Sequence, residues 1–241
     1  MSLVVGHTKR IVDLSSSERA TMFGLLSLKF FGVKREDFIR DLEEKDVVML
    51  LRKESLTGEI VGFSTLMILE LSITGRRVKA IFSGDTTVLE QYRTSSGLGI
   101  ELCRYFMNAL KAFPDFEMYY ILISKGWRTY KVLPFLFKCF APCCGEEITP
   151  CVQGVMDAFG ALKYPLEYNS SRGLIVFPRE TQRVMPGSID AVPLTETDTH
   201  IQFFLSKNPT YLSGTELVCV ALVDETNFAP GMMRLLKTLT K

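Results

Sequence analysis

The chain has 241 residues, 47% hydrophobic and 23% charged, and its 28 Lys and Arg against 27 Asp and Glu give a formal net charge of +1. That composition can bury a core and excludes general disorder, and the length fits one elaborated domain or two small ones at ~150 residues per domain. The charge balance provides no overall field for nucleic acid or an acidic membrane face, so any anion site must be local.

The longest run without a charged residue is Ile60–Leu69, ten residues, against the ~20 that a membrane-spanning helix needs. The first ten residues lack the pattern of a secretory signal, and six cysteines are too sparse for a disulfide scaffold. The thiols are therefore expected to be reduced and the chain cytoplasmic and not membrane-spanning.

The first predicted element is a helix. Ser15 and Glu18 fit a capping box, and Met22, Phe23, Leu26 and Phe30 follow at helical spacing, with Gly32 as a stop. A charged helix is expected over Arg35–Leu42. The pattern then becomes β-like: Val47–Leu51, Ile60–Leu71 and Val78–Leu89, separated by turns at Thr57-Gly58 and Thr74-Gly75, predict a three-stranded antiparallel meander. Gly84 falls inside the third strand, where a glycine implies a bulge or a close backbone approach.

A helix carrying Leu98, Leu102, Tyr105, Phe106, Ala109 and Leu110 on one side comes next, ended by Pro114-Asp115, and Met118–Ser124 reads as a buried strand. Strand, helix and strand in that order make a parallel crossover. A helix containing Trp127–Val132 follows, kinked or restarted at Pro134. Further helices are expected near Cys151–Leu162, Glu196–Leu205 and Pro230–Leu239, and strands at Leu174–Phe177 and Leu217–Val223, the last completing the main sheet. The expected architecture is α/β: one domain over residues 1–241, with a core from about 10 to 145 and a C-terminal extension from 146.

The segment from Val88 to Leu102, between the third strand and the crossover helix, carries Arg93, Ser95, Ser96, Gly97 and Gly99. Small residues there let a ligand approach the backbone, and free amides at the positive end of the helix suit a phosphate, with Arg93 adding a charge-assisted contact. The competing reading is a small-residue turn that binds nothing. A Walker loop is excluded because Gly97 is followed by Leu98 instead of Lys, and a dinucleotide fold would place its glycines after the first strand of a parallel series.

In this context the chain resembles the GNAT superfamily of acyl-CoA-dependent N-acyltransferases, whose Arg/Gln-x-x-Gly-x-Gly/Ala loop follows the central strand. The resemblance covers roughly Asp46–Phe140. It implies a GNAT-like mixed sheet, a pantetheine arm paired with the third strand, a CoA pyrophosphate cradled by the amides of Arg93, Thr94, Ser95, Ser96, Gly97, Leu98, Gly99 and Ile100, and Val88 as a further cofactor-binding residue. The spacing departs from the family: counted from Arg93, glycines belong at 96 and 98, where this chain has Ser96 and Leu98. Either the loop holds an inserted residue or Ser96 stands in for the first glycine.

The resemblance also implies catalytic roles. An amine must lose a proton before attacking a thioester, an oxyanion needs a donor, and the departing thiolate benefits from an acid. Gly84 at a bulge offers the amide donor, with a simple bulge as the competing reading. Asp85 is the first choice for the base, ahead of Glu90, and Tyr130 for the acid, with a packed tyrosine as the alternative. His200 reads as a helix-surface residue. Cys139, Cys143, Cys144 and Cys151 lack zinc spacing, so no metal is expected. Val132, Leu133, Phe135, Leu136, Phe137 and Phe140 form a dense apolar segment that points to core or to a cavity for a fatty acyl chain. The implied partners are acetyl-CoA or fatty acyl-CoA, or an acyl carrier protein, and an amine of a small molecule or peptide; no nucleic acid is implied. The rival from another class is a non-catalytic CoA-binding module, and a cysteine hydrolase is a distant third.

Overall fold

A strand, not a helix, opens the chain: β1 (Val4–Arg10) precedes the capping box. Its run of Val, Val, Gly, His, Thr, Lys and Arg lacks the alternation that marks a half-buried strand. The structure, a computed structural model, describes residues 3–56, 58–177, 183–184 and 197–239. The predicted capping box is present, with the Glu18 amide donating to Ser15 Oγ at 3.2 Å and the Ser15 amide to Glu18 Oε2 at 2.7 Å, and it starts α1 (Ser16–Ser27). Phe30 leaves the helical stripe and enters a two-residue strand, β2 (Phe30–Phe31), before Gly32 at φ 78° leads to α2 (Arg35–Glu43).

The meander forms as expected from β3 (Val47–Lys53), β4 (Ile60–Ile73) and β5 (Arg76–Val88). Thr74 and Gly75, at φ 48° and 82°, make the two-residue turn between β4 and β5, where both positions need positive φ. Thr57 of the other expected turn lies outside the described residues. The crossover helix is α3 (Gly97–Ala112), and it delivers β6 (Met118–Ser124) parallel to β5.

Short helices α4 (Trp127–Tyr130) and α5 (Val132–Leu136) follow, then α6 (Pro150–Lys163), β7 (Tyr168–Asn169), β8 (Leu174–Ile175) and β9 (Arg183–Val184). The chain continues with α7 (Thr199–Lys207), β10 (Glu216–Leu222) and α8 (Pro230–Leu239). Glu196, where the α7 segment was expected to begin, is outside the described residues; the described helix starts from an N-cap at Asp198.

The main sheet has the order β1-β3-β4-β5-β6-β10-β8-β7, with β5–β6 its single parallel pair, while β2 and β9 pair separately. It is a mixed sheet, as expected, with an antiparallel meander, a parallel crossover and strands from the C-terminal half beyond β6. Alternation divides the core. Met49, Leu66, Ile81 and Tyr120 pack with Leu102 and Phe106 of α3 and Met232 of α8. Ala80, Phe82 and Ile121 pack with Val155 and Phe159 of α6, and Val48, Leu50 and Phe63 with α1 and α2. Helices thus cover both faces, which is what a sheet containing continuous apolar strands such as β10 requires.

Candidate functional site

The sheet opens at its centre. Pairing of β5 with β6 runs from Lys79↔Met118 to Ser83↔Leu122 and stops there, although β5 continues to Val88. On its other side β5 stays paired with β4, through Ser64↔Thr86, Phe63↔Thr87 and Gly62↔Val88. Between Ser64↔Thr86 and Leu66↔Ser83, Thr65 alone faces both Gly84 and Asp85. Two residues against one is a β-bulge; it bends the strand and redirects its side chains. A Cβ on Gly84 would lie 2.6 Å from Thr65 Oγ1 and 2.7 Å from Lys45 Cε, so the bulge requires glycine there.

A cavity of about 710 Å³ fills the opening, within the ~300–1,000 Å³ range usual for small-molecule sites. Ser83, Thr86 and Val88 of β5, Tyr120 and Leu122 of β6, and Met49 and Ser64 contribute the sheet wall. Leu98, Leu102, Val132, Phe135, Leu136 and Leu235 supply an apolar wall from α3, α5 and α8. Among the described residues five cations line it, Lys29, Arg93, Lys125, Arg128 and Lys131, and no carboxylate does. Lys125 and Lys131 are paired with Glu216 and Asp198 behind the wall, at 2.8 and 2.7 Å. A chain of nearly zero net charge thus concentrates positive charge in one place.

The N-terminus of α3 forms the end of the cavity. Ser96 is its N-cap without a side-chain cap, and no acidic residue occupies the first turn. The amides of Arg93, Ser95 and Ile100 donate to the carbonyls of Glu90, Tyr92 and Ser96, and the Gly97 amide to Ser95 Oγ at 3.1 Å. Among the described residues, the amides of Thr94, Ser96, Leu98 and Gly99 have no such acceptor. All four residues line the cavity. Alternate amides therefore hold the loop in shape while the others are left for an anion at the positive helix end.

Of the residues expected to bind the donor, Val88, Arg93, Thr94, Ser95, Ser96, Leu98 and Gly99 reach the wall, while Gly97 and Ile100 do not. Gly97 is placed behind the wall. It is buried against β1 and β3, where a Cβ would meet Leu51 Cδ1 at 2.5 Å and the Gly6 amide nitrogen at 3.1 Å, so it is a packing glycine. Ile100 packs its side chain on the core behind the cavity. Ser96 thus occupies the cavity position that the family spacing gives to a glycine.

Asp85 sits on the bulge, half-buried, and is not part of the cavity lining. Burial, followed by the Asp41 carboxylate and opposed by Lys125 and Lys45, pushes its carboxyl up to about 6. Glu90 is exposed in the turn before the loop.

Tyr130, expected as the acid, is placed away from the cavity wall. It is fully buried with its ring against Phe140, Phe203 and Phe204, and its hydroxyl donates to the Pro142 carbonyl at 2.8 Å, outside the cavity wall. Burial pushes its hydroxyl well above the ordinary tyrosine range. Tyr130→Phe should lower stability by about 1–2 kcal/mol by leaving that carbonyl without its donor. Donor affinity and turnover should be unchanged; a slowed chemical step with intact stability would restore it as the acid. His200 on α7 is half-buried, its ring packed on Tyr130 and Phe140 at 6.4 and 6.0 Å.

Sequence reasoning missed Lys29, Tyr120 and Lys125. None sits in a motif; they meet because the α1–β2 link, the middle of β6 and the end of β6 converge on the opening. Tyr120 is buried, with its hydroxyl pushed up to about 12 by burial against the opposing influence of Ser83. Ser64 and Thr86 share a hydrogen bond of 2.7 Å, so hydroxyls from β4, β5 and β6 line the sheet wall. Among the described residues, no group of three or more His, Cys, Asp or Glu is placed to hold a metal ion, and no helix is long and apolar enough to cross a membrane.

No family model matches the sequence, and no curated protein matches it. Solved structures similar to the chain include a GCN5-related N-acetyltransferase from Kribbella flavida, with 14% identity over 57% of this chain and 34% of that one at a TM-score of 0.40. A GNAT family N-acetyltransferase from Escherichia coli in complex with CoA has 13% identity over 52% of this chain and 64% of its own, with a TM-score of 0.36. The Saccharomyces cerevisiae N-myristoyltransferase with bound myristoyl-CoA has 18% identity over 48% and 30%, also at 0.36. The chain therefore spans less than two thirds of the length of each of these three.

Proposed function

We propose that the chain is an acyl-CoA-dependent N-acyltransferase. One observation carries the reading: the bulged strand β5 parts from β6 beside a helix N-terminus whose unused amides face a cavity lined, among the described residues, by cations and by no carboxylate. The Gly84–Val88 edge suits the amides of a pantetheine arm, and the α3 N-terminus with Arg93 suits its phosphates. Leu98, Leu102, Val132, Phe135, Leu136 and Leu235 suit an acyl chain longer than acetyl. Asp85, next to the lining residue Thr86 and with its carboxyl pushed up to about 6, takes the proton that an ammonium acceptor must shed. The free amine then forms a C–N bond at the thioester carbonyl, the C–S bond breaks, and the proton released as the amide forms restores the thiolate to a thiol.

A thermal-shift titration with CoA, acetyl-CoA, octanoyl-CoA and palmitoyl-CoA tests binding without knowledge of the acceptor. A ligand at 100 times its Kd stabilises the folded state by about 2.7 kcal/mol. Saturable shifts that grow with chain length are expected. No shift with any of the four rejects the donor assignment. Amine-dependent release of free CoA separates an enzyme from a module that only binds.

A further inference from the structure

Lys29 lies between α1 and β2, half-buried at the cavity wall. Among the described residues its ammonium has no carboxylate and no hydrogen-bond acceptor, whereas Lys125 and Lys131 on the same wall each have an ion-pair partner. The one charged group that acts on it is another cation, Arg93, also in the wall. Desolvating a cation against a like charge is unfavourable, and an anion bound between the two reverses both effects.

Building on the acyl-CoA reading above, we propose that Lys29 acts with Arg93 as a phosphate-binding residue of the donor site, supplied by the α1–β2 link. In the free protein, burial and then the Arg93 charge pull the Lys29 ammonium down to about 8. A bound phosphate holds it charged, so donor binding above that pH takes up a proton. Affinity then weakens above pH 8, by at most tenfold per pH unit for one proton.

The chain's single tryptophan, Trp127, lines the cavity, so its fluorescence reports occupancy directly. The probe is acetyl-CoA, whose blocked thiol does not titrate. At pH 7, Lys29→Met should weaken binding about 10- to 100-fold, the range for losing a charge-assisted hydrogen bond. Lys29→Arg should bind within a few-fold of the native chain but without the weakening between pH 8 and 9.5, because a guanidinium stays charged. S-acetylpantetheine, which lacks the phosphates, should bind the native chain and Lys29→Met equally. Native-like acetyl-CoA affinity and pH profile in Lys29→Met would overturn the assignment while leaving the donor reading intact. Failure of the native chain to bind acetyl-CoA would overturn both.

Discussion

Asp85→Asn is expected to make the protein more stable at pH 7.5 and, at the same time, to remove most amine-dependent turnover. The carboxyl titrates at about 6 in the folded chain against the ordinary 3.8, so the folded state binds this proton more tightly than the unfolded state. Its contribution to stability is full below the unfolded value and is lost as pH rises through about 6. At pH 7.5 the ionised group is therefore a liability of up to about 3 kcal/mol, which Asn relieves. The exchange strands no cation, because Lys45 keeps Asp41 at 2.7 Å and Lys125 keeps Glu216 at 2.8 Å.

The rate should respond in the opposite sense. A base works in its ionised form, so kcat/KM of the native chain should fall below about pH 6, and Asp85→Asn should lack that limb and be slower by about 10²–10⁴-fold. Melting temperatures from pH 4.5 to 8 and a pH–rate profile together check this. A variant that is no more stable, or one that keeps the native acid limb, rejects the role of Asp85.

The second large effect is expected at the contact between α3 and β1. A Cβ on Gly6 would come 2.4 Å from the Gly97 carbonyl oxygen and 2.7 Å from Glu101 Cγ. The first obstacle is backbone, so Gly6→Ala forces α3 away from β1, at a cost of roughly 1–3 kcal/mol. The same displacement moves the helix end that lines the cavity, so acetyl-CoA affinity should fall with stability although Gly6 is not in the wall. Gly97→Ala should behave alike. Gly99→Ala is the control: its Cβ meets only Leu235 Cδ1, at 3.1 Å, the end of a flexible side chain. That variant should keep nearly full stability in urea denaturation. Loss of stability at Gly99 with none at Gly6 would reject the packing account.

Local signals located most elements. The Ser15 capping box, the apolar runs of the meander and the helical spacing after Leu98 each act through neighbours close in sequence, and all appear in the structure. The misses share a cause. β1 has a weak local pattern and is held by pairing with β3, some forty residues away. Phe30 fits a helical stripe but is drawn into β2 by pairing with Val184, and its ring joins the cavity wall.

The site divides along the same line. Arg93, Ser95, Ser96 and Gly99 were legible because a strand, a run of small residues and a helix start are contiguous, and that order is sufficient to leave amides exposed at a helix end. Which glycine packs and which faces the cavity was decided by Gly6 and Leu51. The burial of Tyr130 was decided by α7 and the Pro142 carbonyl, and the meeting of Lys29 with Arg93 by the path of the chain after α1. Sequence by itself determined the strand order of the meander, the crossover and the small-residue loop that opens α3, because hydrogen bonding and hydrophobic period are properties of adjacent residues. Only the tertiary structure decided which side chains share the cavity, because burial and charge proximity depend on segments that the chain brings together from far apart.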